Sequence, residues 1–218
     1  MYDLIIRQTH MTLPVGTIYC LGKNYQKHIQ EMGGPQPASP VVFLKPRTAL
    51  VHPRGAIRRP EISREMHHEV ELVVVLGKGG KRIPEAEAMQ HVLGFAIGID
   101  MTLRDVQARA KERGEPWAAS KGFDTSAPIG DVLLREELPD PHRVTLRLSV
   151  NNVVRQEGAT SEMMMTIPAI VSYLSTIFTL ERGDCIFTGT PEGVGRVDPG
   201  DRIVAEIVGH STAEWNVV

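Results

Sequence analysis

Glu69-Val70-Glu71-Leu72-Val73-Val74-Val75-Leu76 is β-branched and apolar on both faces after Leu72, the pattern of a strand covered on both sides. Strand side chains alternate, so Glu69 and Glu71 point the same way, one pleat apart at roughly 6.5 to 7 Å. A second apolar strand, Val92 to Asp100, is punctuated by Gly94 and Gly98 and closes on a third acid, Asp100. Taken alone, Glu-x-Glu is more often the wet face of an edge strand. Here the acids sit in apolar surroundings, and three buried carboxylates repel one another unless a cation joins them. Hard oxygen ligands favour magnesium or manganese over zinc.

Outward from this core, Tyr2 to Arg7 and Thr17 to Leu21 read as strands, and Tyr25 to Met32 as a short helix stopped by Gly33-Gly34-Pro35. Pro35 to Pro40 is a proline-rich loop, and Val41 to Lys45 a strand cut by Pro46. Pro84 to Gln90 forms a helical turn, and Met101 to Arg113 a helix with Gly114 beyond it. The remainder is strand-rich, with Arg143 to Val150, a turn at Asn151-Asn152, Cys185 to Thr188 and Arg202 to Val208. Thr166 caps one amphipathic helix, Ile167 to Phe178, with Ile167, Ile170, Val171, Leu174, Ile177 and Phe178 on its stripe. Many short strands and few helices predict a β-rich α+β domain with no internal repeat and no linker.

The 218 residues suit one domain with an ordinary core, given 42% hydrophobic content. With 24 Lys+Arg against 26 Asp+Glu, the net charge of -2 offers no electrostatic case for nucleic acid or an anionic membrane, and points to small-molecule partners. Cys20 and Cys185 have neither zinc-site nor disulfide spacing, which fits a reducing cytoplasm. No apolar run approaches the ~18 residues of a membrane span, so neither export nor insertion is expected.

Further groups join the acids. His28 and Glu31, three apart on the short helix, share a face, where a carboxylate orients an imidazole as a general base. On these two residues alone, an exposed pair of no consequence is the commoner outcome. Arg104 and Gln107 repeat that spacing and suit carboxylate or carbonyl oxygens. Lys121 lies in Ser120-Lys121-Gly122-Phe123-Asp124. Thr188-Gly189-Thr190-Pro191-Glu192-Gly193-Val194-Gly195 presents amides and the Thr190 hydroxyl without a Walker lysine or dinucleotide spacing.

Together, Gly22-Lys23-Asn24-Tyr25 with His28 and Glu31, Phe43-Leu44-Lys45-Pro46, His68-Glu69-Val70-Glu71-Leu72, Asp100-Met101-Thr102-Leu103-Arg104-Asp105-Val106-Gln107, Lys121-Gly122-Phe123-Asp124 and Gly189-Thr190-Pro191-Glu192-Gly193-Val194-Gly195 resemble the fumarylacetoacetate hydrolase family. The closest likeness is to its short acylpyruvase and oxaloacetate decarboxylase branch. The resemblance runs from about Gly16 to the C-terminus, leaving residues 1–15 as a short extension packed on a catalytic domain of residues 16–218. It implies a mixed β-sandwich roll with a few short helices, usually homodimeric, holding magnesium or manganese on Glu69, Glu71 and Asp100. It also implies a His28-Glu31 dyad on a lid, with Lys121, Arg104, Gln107 and Thr190 around an oxo-acid substrate. The expected reaction is hydrolytic carbon-carbon cleavage of an acylpyruvate to release pyruvate. Oxaloacetate decarboxylation, keto-enol or double-bond isomerisation and non-catalytic oxo-acid binding are the alternatives.

Overall fold

In the computed structural model, which describes residues 2–9, 11–33 and 37–218, Val70–Leu76 lies near the middle of a six-stranded sheet. The order across it is Leu133–Leu134, Val92–Ile99, Val70–Leu76, Cys185–Phe187, Ile18–Gly22, Val41–Lys45. All neighbours are antiparallel except Cys185–Phe187 beside Ile18–Gly22. The reading of a doubly covered strand is correct, because every residue from Val70 to Leu76 is buried. Leu72, Val74 and Leu76 join one apolar cluster, while Val73 and Val75 join another with Ile18, Cys20 and Phe187.

The first cluster is shared with a five-stranded sheet ordered Val153–Ala159, Thr145–Val150, Arg202–Ile207, Ser211–Val217, Ala56–Ile57. Leu146, Leu148, Ile203, Ala205 and Trp215 face inward from it, giving the expected mixed β-sandwich. Asn151 and Asn152 both take positive φ, 50° and 66°, as a two-residue hairpin turn demands. The second cluster includes Leu4, Leu13 and Val15 from the first fifteen residues, where Asp3–Ile5 pairs with Thr12–Pro14.

Several boundaries differ from the sequence reading. Glu69 is outside the strand: it is the link between Met66–His68, in a separate three-stranded sheet with Thr102–Leu103 and Gly195–Val197, and Val70–Leu76. Its carbonyl accepts the Asp100 amide at 2.8 Å, so the chain changes sheets where two acids meet. The helix predicted from Met101 begins at Arg104, because Thr102 and Leu103 pair with Met66–His68. The helix Gln26–Met32 agrees with its prediction, but Gly34, Pro35 and Gln36, part of its stop and of the proline-rich loop, lie outside the described residues. Thr166 caps Ile167–Ile177 by accepting the Ala169 amide, yet Ile177, placed on the apolar stripe, is half exposed. No helix among the described residues is long and apolar enough to cross a membrane.

Neither cysteine is poised to react. Both thiols are buried on adjacent strands, and burial pushes each above its ordinary pKa, with Asp100 adding to the effect at Cys20 and Asp184 at Cys185. The native protein is therefore expected to take up no iodoacetamide, and the urea-unfolded protein to be alkylated at both cysteines. Intact-mass measurement decides; native labelling as fast as denatured labelling would contradict the packing.

Candidate active site

The link at Glu69, the start of Val70–Leu76 and the end of Val92–Ile99 meet beneath the loop 188–195. One carboxylate oxygen from each of Glu69, Glu71 and Asp100 lies within 4.8 Å of the others. All three residues are buried. Glu71 shares the face of Val73 and Val75, so strand alternation delivers it, whereas Glu69 is delivered by the change of sheet.

Their electrostatic environments differ. Burial opposes charge on Glu69, but Lys121 and Arg104 outweigh it and hold that carboxyl well below the usual range. Lys121 Nζ sits 2.9 Å from Glu69 Oε2, and Arg104 Nη2 2.5 Å from Glu69 Oε1. Glu71 has no such cation against it: burial first, then Asp100 and Glu69, push it well above the ordinary value. Its main relief is the Gly189 amide, which donates to Oε2 at 2.6 Å. Gly189 has φ +98°, and a Cβ there would meet Asn24 Cβ at 2.7 Å, so only glycine allows this approach.

Asp100 lies between two ammonium groups, with Lys121 Nζ 2.5 Å from Oδ2 and Lys45 Nζ 2.8 Å from Oδ1. Lys121 also donates to Thr102 Oγ1 at 2.6 Å. Burial opposes its charge, but Asp100 and Glu69 outweigh that cost and raise its pKa. The donor set passes the test for a divalent ion: three hard oxygens converge within 4.8 Å, and the carboxylate of Glu71 is left under net repulsion.

Helix Gln26–Met32 sets His28 over this cluster. His28 Nδ1 is 3.4 Å from Glu31 Oε2, a long contact, while Glu31 Oε1 accepts the Gly193 amide at 2.9 Å and docks the helix on the loop 188–195. Asn24 strengthens that docking by donating to Thr188 O at 2.8 Å. Burial pushes His28 below its ordinary pKa despite the opposing pull of Glu69 and Glu31, leaving a neutral imidazole at pH 7. Arg104 Nη1 donates to the buried Gln107 Oε1 at 2.8 Å, and Arg104 Nε is buried without an acceptor among the described residues. A cavity of about 190 Å³, lined in part by Leu21, Asn24, Pro40, Met164 and Met165, lies beside Asn24.

Every residue that the sequence reading nominates is thus in one region of the fold, with Thr190 joined through a hydrogen bond from Gln156. Buried polar residues of the same region that the sequence reading assigns no role include Lys45 and Gln156, beside Asn24, His68 and Thr102. Lys45 carries a faint signal, a cation closing an apolar strand before Pro46. Gln156 carries none.

A β-sandwich roll with a buried triad of acids, a neutral imidazole and a buried ammonium defines a metal-dependent enzyme. The profile of the fumarylacetoacetate (FAA) hydrolase C-terminal region matches residues 17–218. The chain is 49% identical over 200 residues to oxaloacetate tautomerase FAHD1, mitochondrial, of Mus musculus, covering 92% of this chain and 90% of that protein. It is 44% identical to the Arabidopsis thaliana protein of the same name, with the same coverage. Among solved structures, fumarylpyruvate hydrolase from Pseudomonas aeruginosa in complex with Mn2+ and pyruvate superposes with a TM-score of 0.95 at 40% identity, covering 99% of this chain and 95% of that one. The chain belongs to the fumarylacetoacetate hydrolase family.

Proposed function

We propose that the chain interconverts the enol and keto forms of a short 2-oxo diacid of the oxaloacetate class. The observation that carries this reading is a buried ammonium, Lys121 Nζ, bonded to two of the three converging acids, Glu69 and Asp100. The buried His28 imidazole, held neutral by desolvation, is the base of the same region. Glu69, Glu71 and Asp100 would hold Mg2+ or Mn2+, which when bound would supply Lewis-acid polarisation of the 2-oxo group. His28 removes a C3 proton, with Glu31 accepting from Nδ1 and raising the basicity of the ring. Lys121 offers its ammonium to the oxygen on which negative charge grows, and His28 returns the proton to C3 in the opposite direction. The free Arg104 Nε is a charged donor suited to a substrate carboxylate. Relatives 44 to 49% identical carry the tautomerase name.

Hydrolysis of an acylpyruvate is the second reading, supported by the likeness to fumarylpyruvate hydrolase and by a His28-Glu31 pair able to activate water. The proposal includes a homodimer, on family resemblance alone. It also includes a reducing compartment, on the two buried free thiols. The FAHD1 relatives carry "mitochondrial" in their names, so the cytoplasm expected from the sequence is one of two candidates.

With Mn2+ present, oxaloacetate should lose enol absorbance faster than its spontaneous rate without releasing pyruvate or carbon dioxide. His28→Gln should lower that rate by about 10²- to 10⁴-fold, the usual range for a positioned general base. Pyruvate from acetylpyruvate or fumarylpyruvate at a higher kcat/KM would favour the hydrolase, and carbon dioxide from oxaloacetate a decarboxylase. A His28→Gln variant with full turnover would remove the assigned base under any of these reactions.

A further inference from the structure

Beneath the loop 188–195, on the strand Val153–Ala159, the Gln156 amide is buried at 1% exposure and makes four contacts. Its Oε1 lies 3.0 Å from the Val70 amide nitrogen and 2.8 Å from His68 Nδ1. Its Nε2 lies 2.9 Å from Thr190 Oγ1 and 3.0 Å from Pro191 O. Two of these partners permit no choice. A backbone N–H only donates and a backbone carbonyl only accepts, so Val70 and Pro191 fix which end of the amide is oxygen. The other two contacts then follow. Thr190 Oγ1 must accept from Gln156, which leaves the hydroxyl proton free to be donated elsewhere. His68 Nδ1 must donate, so the proton of the neutral ring is on Nδ1 and Nε2 is bare. That assignment agrees with Nε2 being buried without a hydrogen bond among the described residues, since an unpaired acceptor is better tolerated than an unpaired N–H. Packing keeps the loop in register: a Cβ on Gly158 would come within 2.4 Å of Pro191 Cβ, so Pro191 rests directly on this strand.

We propose that Gln156 is the positioning residue of the site: it holds the Thr190 hydroxyl as an acceptor so that its proton is presented to the substrate carboxylate, and it ties that hydroxyl to the backbone between Glu69 and Glu71. The inference rests on the reading of Thr190 as a residue that binds the oxo acid. Gln156 touches no substrate itself. Its effect passes through Thr190: Gln156→Glu sets an acceptor oxygen against Pro191 O, which cannot donate, and against Thr190 Oγ1, which can, so the Thr190 proton is drawn away from the substrate.

The test uses oxalate, a planar dianion with the oxygen spacing of a 2-oxo acid, titrated calorimetrically into the Mn2+-loaded protein. Thr190→Val and Gln156→Glu should each weaken oxalate about tenfold or more, the loss of one hydrogen bond to a charged group. The double variant should be no weaker than either single one. Thr190→Ser should bind as wild type, Gln156→Met should lose less than Gln156→Glu, and the affinity of Thr190→Val and Gln156→Met for Mn2+ alone should be unchanged. Additive losses, or Gln156→Glu binding as tightly as wild type, would overturn the proposal while leaving the functional reading intact. A wild-type protein that takes no oxalate overturns the functional reading and the role of Thr190 with it. Imidazole ¹⁵N shifts give an independent readout: His68 should be protonated on Nδ1 in the wild type, and protonation on Nε2 would overturn the hydrogen-bond assignment.

Discussion

Glu71→Gln is expected to make the metal-free protein more stable and the enzyme inactive. Glu71 is buried, repelled by Asp100 and Glu69, and without a lysine or arginine bonded to it. An amide of the same shape removes that repulsion and keeps an oxygen to accept the Gly189 amide, now 2.6 Å from Oε2. A gain of about 1–2 kcal/mol follows from relieving a buried like-charge contact, which is a rise in Tm of a few degrees for a chain of this size. The same substitution removes a charged ligand from the cation cage. Wild-type protein at 100 times its metal Kd should be stabilised by about 2.7 kcal/mol, and the variant should lose most of that increment. Lewis-acid polarisation is worth several kcal/mol in the transition state, so turnover should fall by about 10³-fold or more. Thermal unfolding with EDTA and with Mn2+, beside initial rates, reads both halves. A variant that unfolds earlier without metal, or that keeps its metal-dependent shift and its turnover, would show that the three acids do not form a cation site.

The legible parts of the molecule are those governed by local spacing. Alternation in Val70–Leu76 reveals a strand buried on both faces and places Glu71, while Thr166 and the apolar stripe reveal Ile167–Ile177. Asn151-Asn152 announces its turn because asparagine tolerates positive φ. The placement of Glu69 is not local. It depends on the chain leaving one sheet for another, with the Asp100 amide on the Glu69 carbonyl, and no periodicity encodes that exchange. The contact that Lys45 makes from its quoted motif, and the whole role of Gln156, are hidden for the same reason. Lys45 meets Asp100 across 55 positions and Gln156 meets His68 across 88, and each reads in sequence as an ordinary polar residue at a strand. The motifs that resemble a family recover the acids and the dyad and include Lys45, whereas Gln156, which lies in none of them, comes into view only with the tertiary fold.

Lys121→Met should shift stability in the opposite direction from Glu71→Gln while also abolishing activity, and the pair of results isolates charge balance as the organising force of the site. Lys121 Nζ, 3% exposed as a side chain, contacts Glu69 Oε2 at 2.9 Å, Asp100 Oδ2 at 2.5 Å and Thr102 Oγ1 at 2.6 Å. Its removal leaves Glu69 with Arg104 and Asp100 with Lys45, and strands a buried carboxylate oxygen on each. Breaking a buried pair by deleting one partner costs about 3–5 kcal/mol, on the order of 10 °C in Tm for a chain of this length. Added Mn2+ should recover part of that loss, because a cation among the three acids replaces the missing positive charge. Turnover should not recover, since a bound ion does not restore the ammonium beside the developing oxyanion, and a deficit of about 10²- to 10³-fold should persist at saturating metal. Refolding from urea with and without Mn2+ covers the case in which the metal-free variant does not fold. If Lys121→Met unfolds with the wild type, or if metal restores its turnover, Lys121 is neither the counter-charge of the three acids nor the acid of the reaction.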